Sequence, residues 1–544
     1  MPEGYRLLGA GYYRLLDGAG PYAWDGTAFA LMGSGRGSVA VVGGGVLLEG
    51  ETNGFAVDFT HTVDAERVAV KTAGTVVSSA LDTFFTNAGT SPKQVYDVAG
   101  VLGWSPHNLC LQSENLAASW VLTGVTAASA TFAQTTATFA SHRVSLAISV
   151  IAGEAYTYSV VASANPAGAG YHILGIYPVN TPAGEVAIDL TTGTIVYQNT
   201  PTWTVSVSPL GGGQYRITAS MPSMSSSGVQ LFILPNTYTT GSVTGSWTPD
   251  GIGGINIHSQ QYNRGPTATA YLKTTTAARY GLAVDYDPVT HAAKGLLCEP
   301  AATNLLLNST TLSTQSVTVT AVTHTLSFWG TGTITNSGVS TTVLVGTGVN
   351  DRVQVSFLPT AGSLTLTVTG TVSRAQLEIG TVATSPIPTF AATATRAVDL
   401  YSVTPASINY SATAGSWWAD LSFRPFGTAQ SRAIAYATSY SPMYQNTATA
   451  FALFETLALN KVVPSTAGAH KLASAFTTGD RAITADGLTA AVDAGGVTNL
   501  LAPGALIYMG GNLTTNSLNN YIRKLYYVPR RMTNTELEIK TAIA

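Results

Sequence analysis

We expect an all-β protein of tandem antiparallel β-sandwiches, jelly-roll-like in layout, with one short C-terminal helix. Thr, Ser, Gly and Asn supply most of the polar residues, and these types favour strands and tight turns. Short runs of alternating polarity, separated by turn residues, recur from about residue 105 onward. Because no helical pattern lies between these runs, successive strands are expected to pair in antiparallel sheets.

The first region, residues 1–104, is glycine-rich and begins with a short tandem repeat. YRLLGAG at 5–11 is followed by YRLLDGAG at 13–20, and the glycine-rich run GSGRGSVAVVGGGVLLEG occupies 33–50. Two interpretations stay open: short β-elements stabilised by contact with another chain, or a flexible arm.

An internal repeat predicts two related sandwiches, at residues 105–280 and 281–400, of which the second is shorter. The repeated pairs are NLCLQS at 108–113 and NLLLNS at 304–309, YTYSVV at 156–161 and HTLSFW at 324–329, and the segments beginning at Gln261 and Gln376. One departure is Asn263 in the first copy where the second has Glu378. In the first copy, Tyr156 to Val161 and Glu185 to Leu190 are predicted as half-buried strands, with glycine turns at 191–194 and 211–214.

The sequence pattern of residues 401–544 predicts a β-unit that is unrelated to the two repeated sandwiches. Trp417 to Phe423 resembles a core strand, and Asp486-Gly487 is a hairpin-turn pair. Thr533 and Glu536 have the spacing of a capping box, which predicts a helix immediately after Thr533.

Charge and hydropathy exclude several function classes. Only 10% of residues are charged and the formal net charge is −3, against about 25% charged in ordinary soluble domains. Without a Lys/Arg cluster we expect no nucleic-acid partner. Without a run of about 18 apolar residues we expect no membrane insertion, and the N-terminal sequence lacks the pattern of a secretory signal.

No catalytic residues, cofactor or metal site are predicted. Asp285, Asp287 and His291 lack the glycine and terminal Glu of a calcium loop, so we favour a plain turn. The histidines stand apart from one another, and Cys110 and Cys298 are expected to be buried thiols. No nucleophile elbow or phosphate loop occurs, and no carboxylate pair for glycoside hydrolysis can be nominated from sequence alone.

Aromatic residues are the remaining candidates for binding. Sugars stack their C–H faces on aromatic rings, so rings near hairpin ends of the first sandwich could hold glycan. The candidates are Trp203, Trp247, Tyr171, Tyr177 and Tyr238. For Trp203 and Trp247, packing in a core or interface is the competing interpretation. For Trp120, Trp329, Trp417 and Trp418 the alternating neighbours favour the core.

Two segments resemble virion proteins of tailed bacteriophages. Residues 279–309, RYGLAVDYDPVTHAAKGLLCEPAATNLLLNS, resemble a segment that opens a domain in many tail-fibre and head-fibre proteins, and Gln376, Thr389 and Arg396 fit the same pattern. Residues 401–544 resemble a lectin-like sandwich of the concanavalin or laminin-G type, ending in KLYYVPRRMTNTEL at 524–537. Together the likeness covers roughly residues 105–544.

The resemblance implies a non-enzymatic structural protein of the virion surface, such as a tail fibre, a tailspike-like protein or a head fibre. Residues 1–104 would attach to other virion proteins, and the sandwiches, which resemble carbohydrate-binding modules, would bind host cell-surface polysaccharide. A homotrimer assembled in the host cytoplasm and exposed on the released particle is expected. Two alternatives are a capsid decoration or collar protein that only cements the particle, and a glycan depolymerase.

Overall fold

Strands dominate the computed structural model, which is about 52% strand and 4% helix, so the all-β prediction is confirmed. The structure describes residues 5–9, 12–15, 21–24, 29–31, 51–61, 67–127, 129, 132–165, 170–178, 184–200, 202–222, 224, 228–239, 241–251, 253–423, 431–436, 441–447, 450–454, 458–462, 468–494, 505–511 and 517–543. Across those ranges, neither α-helix has the length and apolar character needed to cross a membrane.

The N-terminal strands form a separate four-stranded antiparallel sheet in the order β1-β2-β3-β4. The two copies of the short tandem repeat pair with each other in this sheet, with Arg6 opposite Arg14. The glycine-rich run at 33–50 lies outside the described residues. The strand bounds are β1 Tyr5–Gly9, β2 Tyr12–Leu15, β3 Pro21–Trp24 and β4 Phe29–Leu31.

The next segment leads from the N-terminal sheet to the first sandwich. Its strands join three different sheets, and β9 and β10 form a two-stranded hairpin. The elements are β5 Gly54–Asp58, β6 Val68–Thr72, β7 Thr75–Ser79, helix α1 Leu81–Phe84, β8 Thr86–Asn87, β9 Gln94–Tyr96, β10 Leu102–Trp104 and β11 His107–Asn108.

The first sandwich packs two six-stranded antiparallel sheets around one apolar core. Sheet A has the order β12-β15-β22-β17-β18-β19, and sheet B has the order β13-β14-β23-β16-β21-β20. The strands are β12 Val121–Thr123, β13 Val125–Ala127, β14 Phe132–Thr135, β15 Arg143–Leu146, β16 Tyr156–Ala164, β17 Ile173–Pro178, β18 Glu185–Asp189, β19 Thr194–Asn199, β20 Thr204–Gly211, β21 Gln214–Met221, β22 Val229–Leu234 and β23 Gly254–Arg264.

The second sandwich is smaller, with a four-stranded sheet β28-β33-β30-β31 packed on a three-stranded sheet β32-β29-β34. Strands β27 and β35 pair where the chain enters and leaves it. The strands are β24 Arg279–Tyr280, β25 Val284–Tyr286, β26 Ala293–Cys298, β27 Ala302–Asn304, β28 Gln315–Val319, β29 His324–Gly330, β30 Thr333–Gly338, β31 Val343–Val345, β32 Gly348–Phe357, β33 Gly362–Thr369, β34 Val372–Ile379 and β35 Ala394–Arg396.

The last segment contributes most strands of a third sandwich and a helix. The elements are β36 Tyr401–Val403, a 3₁₀ turn Ala406–Ile408, β37 Ala414–Phe423, β38 Ser431–Tyr436, β39 Ser441–Thr447, β40 Ala450–Phe454, β41 Ala458–Val462, β42 Gly468–Thr477, β43 Asp480–Ala485, β44 Ala491–Asp493, β45 Ile507–Met509, β46 Asn520–Val528 and helix α2 Asn534–Thr541. Thr533 and Glu536 make both hydrogen bonds of the predicted capping box.

This third unit, which we call the base sandwich, is assembled from distant parts of the chain. One sheet has the order β44-β43-β42-β37-β46-β5-β6-β7, with β26 also paired to β46. The other runs β11-β24-β8-β36-β45-β38-β39-β40-β41, and one apolar core lies between the two. The structure therefore differs from the predicted division at residues 104 and 401, because residues 54–87 complete the sandwich of residues 401–528.

The physical reason is that β46 needs a partner strand along one edge. Leu525 and Tyr527 pair with Val57 and Phe55, and all four side chains are buried. Without β5 the edge of β46 would carry unpaired backbone groups beside an uncovered apolar face. The first and second sandwiches are thus insertions between strands of the base sandwich.

The internal repeat appears as one hydrogen-bond pattern in both inserted sandwiches. Asn108 Nδ2 donates to the Gln260 and Leu272 carbonyls, both at 2.8 Å. Asn304 Nδ2 donates to the equivalent carbonyls of Ala375 and Ile387, both at 2.9 Å. Each asparagine ties the segment entering a sandwich to the last strand and to the segment after it.

The two copies of the repeat differ at Asn263 and Glu378, yet these two residues accept equivalent hydrogen bonds. Asn263 Oδ1 accepts from Gln261 Nε2 and from Thr269 N. Glu378 Oε1 accepts from Gln376 Nε2 and Thr384 N, both at 2.7 Å. A neutral amide and a carboxylate thus occupy the same structural position.

Two strands predicted as half-buried are more deeply buried. Along β16 only Ala164 is not buried, and Thr157 on its outer face donates through Oγ1 to the Gly265 carbonyl at 2.8 Å. Along β18, Val186, Ala187 and Ile188 are all buried. The prediction was wrong for the outer faces, because segments that lie outside the strands pack across them.

Candidate functional site on the first sandwich

The outer face of sheet A carries a row of polar side chains around one tyrosine. Alternate residues of these strands face the core, where Val144, Ile176 and Val186 are buried, so the residues between them face outward. Adjacent positions on five neighbouring strands form what we call the polar row: Ser145, Gln230, Tyr177, Glu185 and Asn199. Four of these side chains are partly exposed and Asn199 is exposed. At the usual strand spacing, the row is about 19 Å long.

The neighbouring row on the same face is apolar and partly covered. Phe232, Gly175, Ala187 and Tyr197 occupy adjacent positions there. Val243, from the segment that follows β22, is fully buried against this row. A Cβ added at Gly175 would lie 3.0 Å from Val243 Cβ, so the absence of a side chain at Gly175 makes room for the crossing segment.

Glu185 connects the crossing segment to the polar row. Its Oε2 accepts hydrogen bonds from Val243 N at 2.6 Å and from Ser242 Oγ at 3.0 Å. At the other end of the sheet, the Arg143 guanidinium lies 6.0 Å from the ring centroid of Phe232. The face thus combines an aromatic ring, amides, a hydroxyl, a carboxylate and a guanidinium.

Tyr177 is the one predicted glycan residue that lies in the polar row. Its ring packs edge-on against Phe232, with centroids 6.5 Å apart, which fixes its orientation. Gln230 is directly opposite on one neighbouring strand, and Glu185 is next in register on the other. A ring face flanked by an amide and a carboxylate suits a sugar, which offers C–H faces and hydroxyls together.

Tyr238 and Trp247 lie on the same side of sheet A, but they hold the crossing segment in place. Tyr238 donates its hydroxyl to the Gly241 carbonyl and packs edge-on against Tyr197 at 6.1 Å. Burial, with a smaller contribution from Glu185, raises the pKa of Tyr238 to about 12. Trp247 pairs through its backbone with Ala140, and its ring packs at a tilt against the buried His142, with centroids 5.1 Å apart. Both side chains are partly buried.

The other two predicted residues do not join this face. Trp203 is 7% exposed and belongs to the core between sheets A and B. Its assignment as a glycan-facing residue is therefore corrected, because a ring enclosed by core side chains offers no face to a sugar. Tyr171 is partly buried against the same core, and burial, followed by the charge of Asp250, raises its pKa.

Four tryptophans and both cysteines are buried, as the sequence predicted. Trp120, Trp329, Trp417 and Trp418 are each less than a tenth exposed, which confirms them as core residues. Both cysteines are buried free thiols, as predicted, and burial raises their pKa values.

Residues 287–291 form the predicted turn, which follows strand β25. Asp287 Oδ1 accepts from the backbone N–H groups of Val289 and Thr290, and His291 N donates to the Asp287 carbonyl. Asp285 points elsewhere, to Tyr96 N and the Tyr521 hydroxyl. In the described part of the chain, no three His, Cys, Asp or Glu side chains are grouped as metal ligands would be.

Four of the residues that carry the phage-protein resemblance are buried and hydrogen-bonded. Arg396 Nη1 donates to Glu299 Oε2 at 2.6 Å, and Thr389 N donates to Ser309 Oγ at 2.9 Å. All four are at most 3% exposed. These four residues therefore mark how the second sandwich closes.

The comparisons with known proteins add no family. No protein-family model matches the chain, and no curated protein matches it.

Sequence reasoning missed most members of the polar row. Gln230, Glu185, Ser145 and Asn199 are ordinary polar residues on strands, and nothing in their local sequence separates them from solvent-facing neighbours. A partial signal existed for Ser145, Gln230 and Glu185, because their sequence neighbours are buried. The alignment of the row nevertheless depends on the strand order of sheet A.

Proposed function

We propose that this chain is a surface structural protein of a bacteriophage particle, of the tail-fibre, tailspike-like or head-fibre type. It attaches to other virion proteins through its N-terminal region and binds host cell-surface polysaccharide through its sandwiches, as a homotrimer without catalytic activity. It is assembled in the host cytoplasm and exposed on the released particle.

The observation that carries the binding half of this proposal is the polar row with Tyr177 at its centre. A partly exposed ring of fixed orientation, flanked by Gln230 and Glu185 on the outer face of sheet A, offers both stacking and hydrogen bonding to a saccharide. A chain with only 10% charged residues also presents few charges that would compete with neutral hydroxyl groups. The virion assignment rests on the sequence resemblance in residues 279–309 and 524–537.

The test is binding of the full chain to an array of bacterial surface polysaccharides, with Tyr177→Ala as the variant. We expect the wild type to bind at least one polysaccharide and the variant to bind it about tenfold more weakly, since a stacked ring is worth about 1 kcal/mol or more. Ser206→Ala, on the edge strand of sheet B, is the matched control and should bind as the wild type does.

The full chain is required because residues 105–544 lack strands β5 to β8 of the base sandwich. If the array shows no binding by the wild type, or equal binding by Tyr177→Ala, the adhesive half of the proposal fails.

A cementing role, as a decoration or collar protein, is the second candidate, and one surface feature favours it. Val343, Val345 and Val349, on the adjoining strands β31 and β32, are 50%, 58% and 64% exposed. Clustered apolar side chains at the edge of a small sandwich are typical of subunit contacts. Mapping the chain on virions distinguishes the two, because a capsid-wide lattice favours cement and a few distal spikes favour adhesion.

A further inference from the structure

A recess lies between the base sandwich and the second sandwich. Its volume is about 430 Å³, which is within the range of small-molecule sites. The base sandwich and the β9–β10 hairpin contribute Gln94, Tyr96, Lys294 and Tyr521, and the second sandwich contributes Trp329 and Asp351. We call this recess the interdomain cleft.

Two tyrosine rings and a lysine form one wall of the interdomain cleft. Lys294 Nζ lies 5.9 Å from the ring centroid of Tyr96 and 6.0 Å from that of Tyr521. Asp285 holds this arrangement: it accepts from Tyr96 N at 2.8 Å and from the Tyr521 hydroxyl at 2.5 Å, and it lies 3.5 Å from Lys294 Nζ. The partly exposed rings are thus fixed before any ligand arrives, which lowers the entropic cost of binding.

Two lining residues carry buried polar atoms that lack a hydrogen-bond partner within the described structure. One is the donor Trp329 Nε1, on a side chain that is 2% exposed, and the other is the acceptor Gln94 Oε1. Buried polar atoms are nearly always paired in native proteins, so each unpaired one calls for a missing partner. A hydroxyl group can accept from an indole N–H and donate to an amide oxygen, and a saccharide carries several hydroxyls.

A neighbouring cavity, which shares Val95 and Tyr96 of the β9–β10 hairpin as lining residues, provides an internal comparison. It is of similar size, about 440 Å³. Its polar groups are paired within the chain: Arg67 donates to the Tyr286 hydroxyl at 2.7 Å, and Asp82 Oδ1 accepts from Leu282 N at 2.9 Å. No lining side chain of that cavity has an unpaired buried polar atom among the residues described. Cavity volume alone does not single out the interdomain cleft; its unpaired polar atoms do.

Charge narrows the class of ligand. Four carboxylates line the interdomain cleft, from Asp285, Asp287, Glu299 and Asp351, against the two cations Lys294 and Arg352. An acidic sugar would meet this net negative lining at a cost, whereas a neutral sugar would not.

We propose that the interdomain cleft is a second saccharide site, which takes a short neutral oligosaccharide segment against the partly exposed rings of Tyr96 and Tyr521 and beside the indole N–H of Trp329. It rests on the proposed function only in taking glycan as the ligand class. The polar row would then contact a long chain along its length, while the interdomain cleft would recognise a short segment or chain end.

The experiment is an array of neutral and acidic di- to tetrasaccharides, probed with the full chain and with Tyr96→Ala, Tyr96→Phe and Tyr177→Ala. We expect at least one neutral oligosaccharide that Tyr177→Ala still binds and that Tyr96→Ala binds about tenfold more weakly. Tyr96→Phe keeps the ring and should stay within about twofold of the wild type. Thr267→Ala, an exposed residue lining the neighbouring cavity, is the matched control and should not change binding.

Thermal unfolding of each variant identifies loss of fold, and Lys294→Ala provides a second change in the same wall should Tyr96→Ala unfold. The inference is overturned if the wild type binds no oligosaccharide on the array, or if every bound one is held equally by Tyr96→Ala. Loss through Tyr177→Ala alone would leave the proposed function standing and remove the second site. Loss through Tyr96→Ala alone is the result expected on this array, and Tyr177→Ala on the polysaccharide array decides separately whether the polar row binds.

Discussion

Buried amides hold the two inserted sandwiches closed. Asn304 is fully buried, its Nδ2 donates to two carbonyls, and its Oδ1 accepts from Leu306 N and Leu377 N, both at 3.1 Å. Asn108 makes the corresponding four bonds in the first sandwich. One side chain thereby satisfies four backbone groups that the change of strand direction would otherwise leave unpaired.

Asn304→Ala should therefore destabilise the second sandwich strongly. Four buried backbone groups would lose a partner, and we expect the free energy of unfolding to fall by about 2–5 kcal/mol. Amide hydrogen exchange in β29 and β34 measures the loss locally. Asn350→Ala, at an exposed position of β32, is the control and should leave exchange unchanged. Equal protection in both variants would contradict the assigned role of Asn304.

Glu378 gives the second sandwich a pH dependence that its counterpart Asn263 cannot have. Burial raises the pKa of the Glu378 carboxyl, although the Arg352 charge and hydrogen bonds from Thr384 and Gln376 oppose the shift. A carboxyl with a higher pKa in the folded state binds more protons when folded. Its contribution to stability is therefore present at low pH and is lost as pH rises from about 4.3 through the raised value.

Glu378→Gln should remove this dependence. Relative to the wild type, the variant's free energy of unfolding should rise with pH across that window and then level off. Urea unfolding between about pH 4 and pH 8 measures the difference. Asp351→Asn, at an exposed carboxylate, serves as control and should show no such trend. A constant difference between Glu378→Gln and wild type would refute the assignment.

Among the elements, strand β5 is decisive, because it pairs with β46, whose residues 520–528 lie more than 450 positions further along the chain. Phe55 and Val57 are fully buried in the core shared with Trp417 and Tyr527. In contrast, strands β1 to β4 pair only with one another among the described strands. The glycine-rich first region of the sequence thus contains two kinds of element: a separate N-terminal sheet and part of the base sandwich.

Truncation separates these two kinds of element. Residues 51–544 should keep the cooperative unfolding of the base sandwich, because only the separate N-terminal sheet and the link that follows it are removed. Residues 105–544 should lose that transition, since the edge of β46 and its apolar face become uncovered. Calorimetry of both fragments, with near-ultraviolet circular dichroism reporting on Trp417, provides the measurement. A shared transition in the two fragments would show that β5 to β8 are dispensable.

Over the whole molecule, the chain leaves the base sandwich twice to build an inserted unit and returns each time. Where the chain leaves for the second sandwich and returns from it, a buried charge cluster connects the outgoing and returning segments. Lys93 pairs with Asp399 and lies 3.6 Å from Glu299, and Glu299 also binds Arg396. Burial raises the pKa of Asp399 despite the neighbouring cations. Such clusters fix geometry more than they add stability, because desolvation offsets much of the attraction. The interdomain cleft lies beside this junction, where Glu299 is one of its lining residues.

The sequence by itself determined the all-β fold, the repeat of residues 108–113 and 304–309, the capping box at Thr533 and the buried tryptophans, because these depend on local periodicity and spacing. Only the tertiary structure decided that residues 54–87 and 401–528 share one sandwich, that Trp203 is enclosed while Tyr177 lies in an outward-facing row, and that Tyr96 and Trp329 line one cleft. Strand order and the packing of one unit against another are set by contacts between residues hundreds of positions apart. A local pattern reports which face of a strand is apolar, but it does not report which partner covers that face.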